Sequence, residues 1–467
     1  MVDKTFDLIV LGAGPGGYVG AIRASQLGMK VAVVEQRATL GGVCLNEGCI
    51  PSKALLDSSE HYSLAKNHFA MHGIEITEPK LNLTTMMQRK DNIVSELTSG
   101  VEYLFKKNGI SWIKGQGILR GTDNDHFQQI EVGPEVYKGK KILLATGSCP
   151  VAIPGLPIDN SLIIDSTGAL SLAEVPDHLV VVGAGYIGLE LGSVWLRLGA
   201  KVSVVEMLPE MLPKSDPETV KALQRSLKKQ GMNIHLNARI EDIQVDNNQA
   251  TLTVIRKNKT QEIEADKILI SAGRKPNLEG YGLKESGVEL DESGFIRVDD
   301  NYMTTAPGIY AVGDIIDGPM LAHKASEEAV VCVERMTGQA PAVNYHTIPG
   351  VCYTWPEMAS IGKTEPELEE EGIPFKVGKF NFMGNGRARA MAETEGLVKI
   401  LVHPETRKIL GFHILGPHAS DLIAEVVAVT SLNGTVDDIV RMIHSHPTLS
   451  EAIKEASLDV DDSALHA

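Results

Sequence analysis

The chain contains the same nucleotide-binding pattern twice. Residues 8–36, LIVLGAGPGGYVGAIRASQLGMKVAVVEQ, align without a gap on residues 179–207, LVVVGAGYIGLELGSVWLRLGAKVSVVEM. Each copy has an apolar strand, a Gly-x-Gly-x-x-Gly turn that opens a helix, and a valine-rich strand that ends in glutamate. This order predicts a Rossmann-like dinucleotide-binding unit in each copy. The alternative, a glycine-rich turn without a ligand, would require two complete copies to arise by accident.

Each residue of the pattern has a predicted role. The first glycine makes the tight turn, the second lets backbone amides approach a pyrophosphate, and the third allows the helix to pack closely on the strand. The glutamate accepts hydrogen bonds from ribose hydroxyls. In the first copy these residues are Gly12, Gly14, Gly17 and Glu35, and in the second they are Gly183, Gly185, Gly188 and Glu206.

Two such units indicate two dinucleotides, and we expect FAD in the first and NAD in the second. Glu206 would repel a 2′-phosphate, and the following MLPEMLPK contains no arginine to bind one, so the second unit favours NAD over NADP. Strand-then-glycine segments close the two units at Gly147 and Gly273. In GIYAVGDI a further strand delivers Asp314 to its end, where the carboxylate could hold the ribityl or pyrophosphate part of a flavin.

A cysteine pair follows the first unit, in GGVCLNEGCIPSKALL at residues 41–56. Cys44 and Cys49 make a poor metal site because the chain has no second Cys/His pair at ligand spacing. As a structural disulfide they would close too short a loop to stabilise much. The remaining interpretation is a disulfide that opens and closes during turnover. In an ideal helix their Cα atoms would lie roughly 8.6 Å apart, beyond the ~7 Å that a disulfide tolerates, so we expect the backbone to distort around Gly48.

Composition restricts the class of protein. The length of 467 residues suggests about three domains, and 43% hydrophobic and 22% charged residues are typical of a soluble globular protein. The net charge of −16 argues against nucleic-acid and anionic-membrane partners. Neither a membrane-spanning apolar run nor a secretory leader is visible. The sparse, odd cysteine count fits a reducing compartment, so we expect a cytoplasmic location.

In these motifs the chain resembles the flavin-dependent pyridine nucleotide–disulfide oxidoreductases. The likeness extends over nearly the whole chain, through both dinucleotide patterns, CLNEGCIPSKALL, GIYAVGDI and HPTLSEAI. The resemblance implies an α/β fold with two Rossmann-like dinucleotide-binding domains and a C-terminal α+β dimerisation domain. The implied domains are an FAD domain at 1–150, an NAD domain at 151–275, a central domain returning to the FAD at 276–346, and the dimerisation domain at 347–467.

The resemblance also implies the chemical roles of four residues. Cys44 is the interchange sulfur that a substrate thiolate attacks, and Cys49 lies nearer the flavin and passes the electron pair to it. His446 deprotonates the substrate thiol, and Glu451 orients the imidazole and raises its basicity. In this family the His–Glu pair acts in the active site of the partner subunit, which implies a homodimer.

Other residues are implied to support the flavin or to have no role in the reaction. Lys53 is placed beside the flavin in an ion pair with Glu190, and the backbone around Ala322 runs along the flavin. His444 is interpreted as a surface or structural histidine. The residues Cys149, Cys332 and Cys352 are interpreted as small buried hydrophobes, and Val43 and Glu47 stand where the family usually has threonine and valine.

Within the family, the sequence is most similar to members that oxidise dihydrolipoyl groups through the disulfide and FAD and reduce NAD⁺. The implied partner is the lipoyl-carrying subunit of a 2-oxo acid dehydrogenase or glycine-cleavage complex. One alternative is another disulfide or metal-ion reductase of the same fold, such as a glutathione or mercuric reductase. A second is a non-catalytic binding subunit, against which the presence of Cys44, Cys49 and His446 argues.

Overall fold

The computed structural model describes residues 4–246, 249–257 and 259–466. The chain forms two compact units. The first comprises the chain up to Ala54, Thr84–Ala152 and Gly273–Val343, and the second comprises Leu55–Leu83, Ile153–Ala272 and the chain from Asn344 onward. The finer division into four domains stays a prediction.

The elements up to residue 272 follow in chain order. The strands are β1 (Thr5–Leu11), β2 (Val31–Glu35), β3 (Ser111–Lys114), β4 (Gly117–Thr122), β5 (Gln128–Val132), β6 (Glu135–Leu144), β7 (Ser148–Pro150), β8 (Ile163–Ile164), β9 (His178–Val182), β10 (Lys201–Val205), β11 (Asn233–His235), β12 (Ala238–Asp246), β13 (Gln249–Arg256), β14 (Lys259–Ala265) and β15 (Lys267–Ile270). The helices are α1 (Pro15–Gln26), α2 (Gly42–Glu47), α3 (Cys49–Asn67), α4 (Leu83–Lys107), α5 (Ser166–Ala169), α6 (Tyr186–Leu198) and α7 (Pro217–Lys229).

The elements after residue 272 complete the fold. The strands are β16 (Arg274–Pro276), β17 (Ile309–Ala311), β18 (Gly350–Cys352), β19 (Glu357–Gly362), β20 (Lys376–Asn381), β21 (Leu397–Val402) and β22 (Ile409–Gly416). The helices are α8 (Ala322–Met336), α9 (Glu365–Glu371), α10 (Gly386–Met391), α11 (Ala419–Ser431), α12 (Val436–Arg441) and α13 (Glu451–Asp459).

A mixed sheet forms the core of the first unit. Its strand order is β3-β2-β1-β6-β5-β4, and β17 pairs with the C-terminal part of β6. Strands β3, β2, β1, β6 and β17 are parallel, whereas β4 and β5 form an antiparallel extension. Every residue of β2 is buried, as expected for a strand inside a parallel sheet that is covered on both faces.

Small residues bring α8 close to α1. A Cβ added at Gly20 would lie 3.1 Å from the Cβ of Ala329, and one added at Gly16 would lie 3.2 Å from the carbonyl oxygen of Ala325. Larger side chains on this face of α1 would push the two helices apart. The packing therefore positions the chain around α8 beside the first glycine turn.

The second unit contains a parallel sheet and two antiparallel ones. The parallel sheet has the order β11-β10-β9-β15-β8 and carries the second copy of the sequence repeat on β9, α6 and β10. A separate sheet of β12, β13 and β14 is antiparallel. The chain thus has two Rossmann-like sheets, as the repeat predicts.

The C-terminal part of the second unit is an antiparallel sheet with helices packed on it. Its strand order is β18-β19-β22-β21-β20. Helices α11 and α13 contribute Ile423, Val426, Ile453 and Ala456 to its hydrophobic core. This arrangement confirms the predicted α+β architecture, and with the two Rossmann-like sheets it confirms the α/β fold class.

Candidate active site

The first glycine turn connects β1 to α1. Gly12 has a φ of +96°, which favours glycine, and a Cβ there would lie 2.4 Å from the carbonyl oxygen of Ala145. A Cβ at Gly17 would lie 1.9 Å from the carbonyl oxygen of Gly12. Gly14 is the N-cap of α1, which begins at Pro15. The turn therefore presents backbone and a helix N-terminus, the combination that accommodates a pyrophosphate.

Glu35 ends β2 beside this turn. Its Oε2 accepts a hydrogen bond of 2.8 Å from the backbone N–H of Ala13, and its Oε1 accepts one of 2.8 Å from the backbone N–H of Arg37. These two bonds fix the orientation of the buried carboxylate. Each oxygen has a second lone pair, so the carboxylate retains capacity to accept hydrogen bonds from a ribose.

The second glycine turn has the same geometry. Gly183 has a φ of +104°, and a Cβ there would lie 2.6 Å from the carbonyl oxygen of Ser271. A Cβ at Gly188 would lie 2.4 Å from the carbonyl oxygen of Gly183. Gly185 is the N-cap of α6. A second dinucleotide therefore meets the same arrangement of backbone atoms.

Glu206 occupies the place in the second copy that Glu35 has in the first. Its Oε2 accepts a hydrogen bond of 2.7 Å from the backbone N–H of Ala184, and its Oε1 accepts one of 2.8 Å from that of Leu208. Met207 and Leu208 are apolar and exposed, so neither supplies a positive charge to a 2′-phosphate. This local charge favours NAD over NADP.

The cysteine segment lies directly against the first glycine turn. A Cβ added at Gly42 would lie 2.5 Å from the Cα of Gly14, and Gly41 and Gly42 have φ values of +99° and +60°. The close approach at Gly42 leaves no room for a Cβ, and both φ values favour glycine. The start of α2, which carries Cys44, is therefore next to the predicted pyrophosphate site, and the residues of the first unit fit a dinucleotide there.

The backbone between the two cysteines is interrupted, as predicted. Helix α2 ends at Glu47, Gly48 adopts φ −134° and ψ −111°, and α3 begins at Cys49. The interruption brings the two cysteine side chains into hydrogen-bonding contact. A hydrogen bond to Cys49, burial and the charge on Cys49 raise the pKa of Cys44 well above its ordinary value, and Lys53 acts in the opposite direction.

Lys53 lies on the helix that begins at Cys49, and Glu190 lies on the helix that follows the second glycine turn. Lys53 is half-buried on α3, four residues after Cys49. Glu190 is buried on α6, where its Oε1 accepts a hydrogen bond of 3.0 Å from the backbone N–H of Tyr353. The predicted ion pair between Lys53 and Glu190 stays a prediction.

Asp314 lies in a turn that follows β17. Its Oδ2 accepts a hydrogen bond of 2.5 Å from Ser148 Oγ, which itself accepts one of 2.7 Å from Arg274 Nε. Ser148 and Arg274 directly follow Gly147 and Gly273, which have φ values of +71° and +124°. The two glycines and Asp314 are predicted from the sequence, whereas Ser148 and Arg274 are not, because their only signal is their position after the two glycines.

A buried ion pair supports the turn that carries Asp314. Lys324 Nζ and Glu328 Oε1 lie 3.0 Å apart, and both side chains are fully buried. Gly313 donates its N–H to Glu328 at 2.8 Å, and its carbonyl accepts from Lys324 at 3.2 Å. This pair is not among the predicted site residues, although a Lys and a Glu four residues apart on a helix are a detectable signal in the sequence. Ala322, which was predicted to lie along the flavin, is the first residue of the same helix, α8.

His446 and Glu451 form the predicted pair. His446 Nδ1 and Glu451 Oε1 lie 2.9 Å apart, and Glu451 Oε2 accepts a hydrogen bond of 2.8 Å from the backbone N–H of Thr448. Burial alone would raise the pKa of Glu451, but the hydrogen bonds from Thr448 and His446 outweigh it and lower that pKa. The carboxylate thus stays ionised and orients the imidazole. The His446 side chain is 79% exposed, and the His446–Pro447 peptide bond is cis.

The remaining candidates are held inside the fold. His444 Nε2 lies 2.9 Å from Glu425 Oε1, and the His444 side chain is 4% exposed, so it is a structural histidine. Cys332 and Cys352 are buried, whereas Cys149 is half-buried. Over residues 4–246, 249–257 and 259–466, no group of three or more His, Cys, Asp or Glu side chains could hold a metal ion.

Two thiols lie beside the first glycine turn, and the chain contains a second glycine turn of the same geometry. This combination is the arrangement of a disulfide oxidoreductase. The family model for pyridine nucleotide-disulphide oxidoreductases matches residues 6–329, and the model for the dimerisation domain of that family matches residues 348–457. The chain therefore belongs to this family.

Curated relatives are similar over the full length of the chain. Dihydrolipoyl dehydrogenase 1, mitochondrial, from Arabidopsis thaliana is 49% identical over 98% of this chain and 91% of its own length. Dihydrolipoyl dehydrogenase 3 from Pseudomonas putida is 47% identical over 99% of both chains. Dihydrolipoyl dehydrogenases use FAD and NAD, the two cofactors that the sequence predicts.

Solved structures show the same fold. The flavoprotein disulfide reductase RclA from Escherichia coli is 27% identical, with a TM-score of 0.83 over 96% of this chain and 98% of its own. LpdA from Mycobacterium tuberculosis is 24% identical, with a TM-score of 0.88 over 96% and 98%. In the part of the chain that the structure describes, no helix combines the length and apolarity needed to cross a membrane.

Proposed function

We propose that the protein is a dihydrolipoyl dehydrogenase, which oxidises dihydrolipoyl groups and reduces NAD⁺. The observation that carries this proposal is the close Cys44–Cys49 pair beside the first glycine turn, in a chain 49% identical over almost its full length to such an enzyme. When bound, FAD supplies a two-electron acceptor for the dithiol, and NAD⁺ takes up the pair as a hydride.

Two sets of residues are proposed to hold the cofactors. The first set surrounds the cysteine segment and would hold FAD through Gly12, Gly14, Gly17, Glu35, Lys53, Gly147, Asp314 and the backbone at Ala322. The second set would hold NAD through Gly183, Gly185, Gly188, Glu206 and Gly273. The support is the backbone geometry of the two turns and the carboxylates oriented beside them.

The cysteines would exchange a disulfide with the substrate. A dihydrolipoyl thiolate attacks the Cys44 sulfur, which forms a mixed disulfide and releases Cys49 as a thiolate. The second lipoyl thiol then closes the lipoyl disulfide and leaves Cys44 reduced, so two electrons move from substrate to protein. The hydrogen-bonding contact between the Cys44 and Cys49 side chains supports an exchange that passes through these two sulfurs.

His446 is proposed as the base that deprotonates the substrate thiol. Glu451 accepts from Nδ1–H at 2.9 Å, which leaves Nε2 free to take a proton. A catalytic imidazole that is 79% exposed in a single chain suits a site completed by a second subunit. We therefore propose a homodimer in which His446 and Glu451 of one subunit serve the cysteines of the other.

The proposed macromolecular partner is the lipoyl-carrying subunit of a 2-oxo acid dehydrogenase or glycine-cleavage complex. The net charge of −16 suits a basic docking module on that subunit. The proposed location is the cytoplasm, a reducing compartment that fits five sparse cysteines.

The proposal is tested by comparing substrates on the purified protein. Dihydrolipoamide should reduce NAD⁺ rapidly, with much slower turnover of NADP⁺ and no reaction of glutathione. Anaerobic reduction by two electrons should produce a long-wavelength thiolate–flavin band, and Cys49→Ser should abolish it. Turnover of glutathione but not dihydrolipoamide would refute the proposal in favour of another reductase of this fold.

A further inference from the structure

The last two residues of α2 form hydrogen bonds to the loop before that helix and to the first residue of the helix. Glu47 accepts a bidentate pair of hydrogen bonds from Arg37, with Nη1–Oε1 at 2.5 Å and Nη2–Oε2 at 3.0 Å. Asn46 donates its Nδ2–H to the carbonyls of Leu40 at 3.0 Å and Gly42 at 2.8 Å. Both side chains therefore reach back from the end of the helix to the segment at 37–42.

Arg37 is itself held in place by the first dinucleotide unit. Its backbone N–H donates to Glu35 Oε1 at 2.8 Å, and Glu35 Oε2 accepts from Ala13 at 2.8 Å. A series of hydrogen bonds thus runs from the glycine turn through Glu35 and Arg37 to Glu47. The Arg37 and Glu47 side chains are 31% and 32% exposed, so water weakens their attraction only in part.

The carboxylate of Glu47 does not help to stabilise the helix on which it lies. Glu47 is the last residue of α2, and a negative charge near a helix C-terminus is unfavourable. Glu47 instead forms the bidentate pair with Arg37, which is stronger and more directional than a single neutral hydrogen bond. This pair explains why a carboxylate is present at the end of the helix.

We propose that the Arg37–Glu47 pair is a positioning pair that holds Cys44 against Cys49 by fixing the end of α2 next to the Gly48 interruption. The proposal rests on the proposed function in so far as that function requires a reversible Cys44–Cys49 disulfide. Gly48 is the point at which the two helices could move apart. When the cysteines are reduced, only non-covalent contacts hold α2 in place, whereas the disulfide restrains it covalently. Loss of the pair should therefore favour the dithiol over the disulfide.

The test is a thiol–disulfide equilibrium measured on the anaerobic holoenzyme without NAD. Cys44 and Cys49 give up two electrons and two protons as one S–S bond forms, and oxidised dithiothreitol takes up both as it becomes the dithiol. Glu47→Val and Arg37→Met should each lower the equilibrium constant for disulfide formation about tenfold, a change of ~30 mV in potential. The double variant should show the same change as either single variant, because the two residues act as one unit. Alkylation of the free thiols followed by mass spectrometry measures the oxidised fraction.

Arg120 and Glu131 provide a matched control. They form a bidentate pair at 2.9 and 3.0 Å in the same unit, on β4 and β5, and Arg120→Met should leave the equilibrium unchanged. Constants for both Arg37→Met and Glu47→Val within about twofold of the unmodified protein would overturn the proposal. If Glu47→Val does not fold, Glu47→Gln replaces it and should give a smaller shift in the same direction. If the unmodified protein forms no reversible disulfide, the proposed function fails instead.

Discussion

The carboxylate of Glu206 accepts a hydrogen bond of 2.7 Å from the backbone N–H of Ala184, and Glu35 accepts the corresponding bond from Ala13 at 2.8 Å. In each copy the second carboxylate oxygen accepts from the backbone N–H two residues further along the chain. The sequence repeat is thus also a repeat of hydrogen bonds. Backbone groups orient both carboxylates in the absence of a nucleotide, which suits the ribose-binding role proposed for them.

Removal of the second carboxylate should weaken NAD binding specifically. In Glu206→Ala we expect KM for NAD⁺ to rise about tenfold or more, since hydrogen bonds to a charged group contribute ~1.5–3 kcal/mol each. Steady-state kinetics with NAD⁺ varied measure the change, and the flavin content should not change. Glu210→Ala, which removes an exposed carboxylate from the same loop, is the control. Equal effects of the two substitutions would contradict the assigned role of Glu206.

A methyl group at Gly17 should prevent flavin binding. Its Cβ would lie 1.9 Å from the carbonyl oxygen of Gly12, so the turn or the start of α1 must shift. We expect Gly17→Ala to be purified without yellow colour, as measured by flavin absorbance per chain. Gly100→Ala in α4, where an added Cβ meets nothing within 4 Å apart from its chain neighbours and its own helix backbone, should keep its flavin and gain up to ~1 kcal/mol in stability. Full flavin content in Gly17→Ala would show that the turn does not contact the cofactor.

Loss of the proposed base should slow only the reaction with thiols. We expect His446→Gln to lower kcat for dihydrolipoamide oxidation by about 10²–10⁴-fold, the usual contribution of general base catalysis. Oxidation of NADH by an artificial dye does not need a substrate thiol to be deprotonated and should be nearly unchanged. His61→Gln, at an exposed histidine paired with Asp57, should leave both rates unaltered. Similar losses in both assays would indicate damage to a cofactor site rather than removal of a base.

A buried lysine in the C-terminal sheet should be important for stability. Lys399 Nζ, on β21, lies 2.7 Å from Asp216 Oδ2 and 3.1 Å from Glu365 Oε1, and the Lys399 side chain is 1% exposed. Lys399→Met leaves the Asp216 carboxylate buried without this partner, so we expect a loss of about 3–5 kcal/mol in the free energy of unfolding. Lys379→Met, which removes a 42% exposed lysine paired with Glu218, should cost ~1 kcal/mol or less. Denaturant unfolding compares the two, and equal losses would show that the burial of Lys399 does not matter.

The same pair predicts how stability depends on pH. Burial alone would raise the pKa of Asp216, but charge on His413, the Lys399 ion pair and the N–H of Thr219 outweigh it, and the pKa is lowered. The contribution of Asp216 is therefore present above the ordinary pKa of an aspartate and is lost as pH falls through the lowered value. In Lys399→Met the pKa should rise, so acid unfolding should begin at a higher pH than in the unmodified protein. An unchanged midpoint in an acid titration followed by circular dichroism would contradict this.

The local sequence was sufficient to predict those parts of the site that are formed by residues close together in the chain. The glycine turns, the glutamates at the strand ends and the interruption at Gly48 depend on spacing within a short stretch, because sterics and helix geometry act over a few residues. The structure extends the repeat further than the aligned residues indicated. Leu212 donates its N–H to the carbonyl of Ala184 at 3.2 Å, as Gly41 does to that of Ala13 at 2.9 Å, although leucine and glycine share no sequence signal.

Hydrogen bonds and ion pairs between residues that are distant in the chain could not be predicted in this way. Ser148 and Arg274 are 126 positions apart, and Asp216 and Lys399 are 183 positions apart, so only the packed sheets bring them together. A lone lysine in an otherwise apolar strand gives no indication of which carboxylate will neutralise it. The sequence by itself therefore determined the two dinucleotide turns and the dithiol chemistry, because those depend on local backbone geometry. The tertiary structure alone decided which charges distant in the chain are paired inside the protein, because burial makes an unpaired charge costly and only the fold places an opposite charge from elsewhere in the chain within reach.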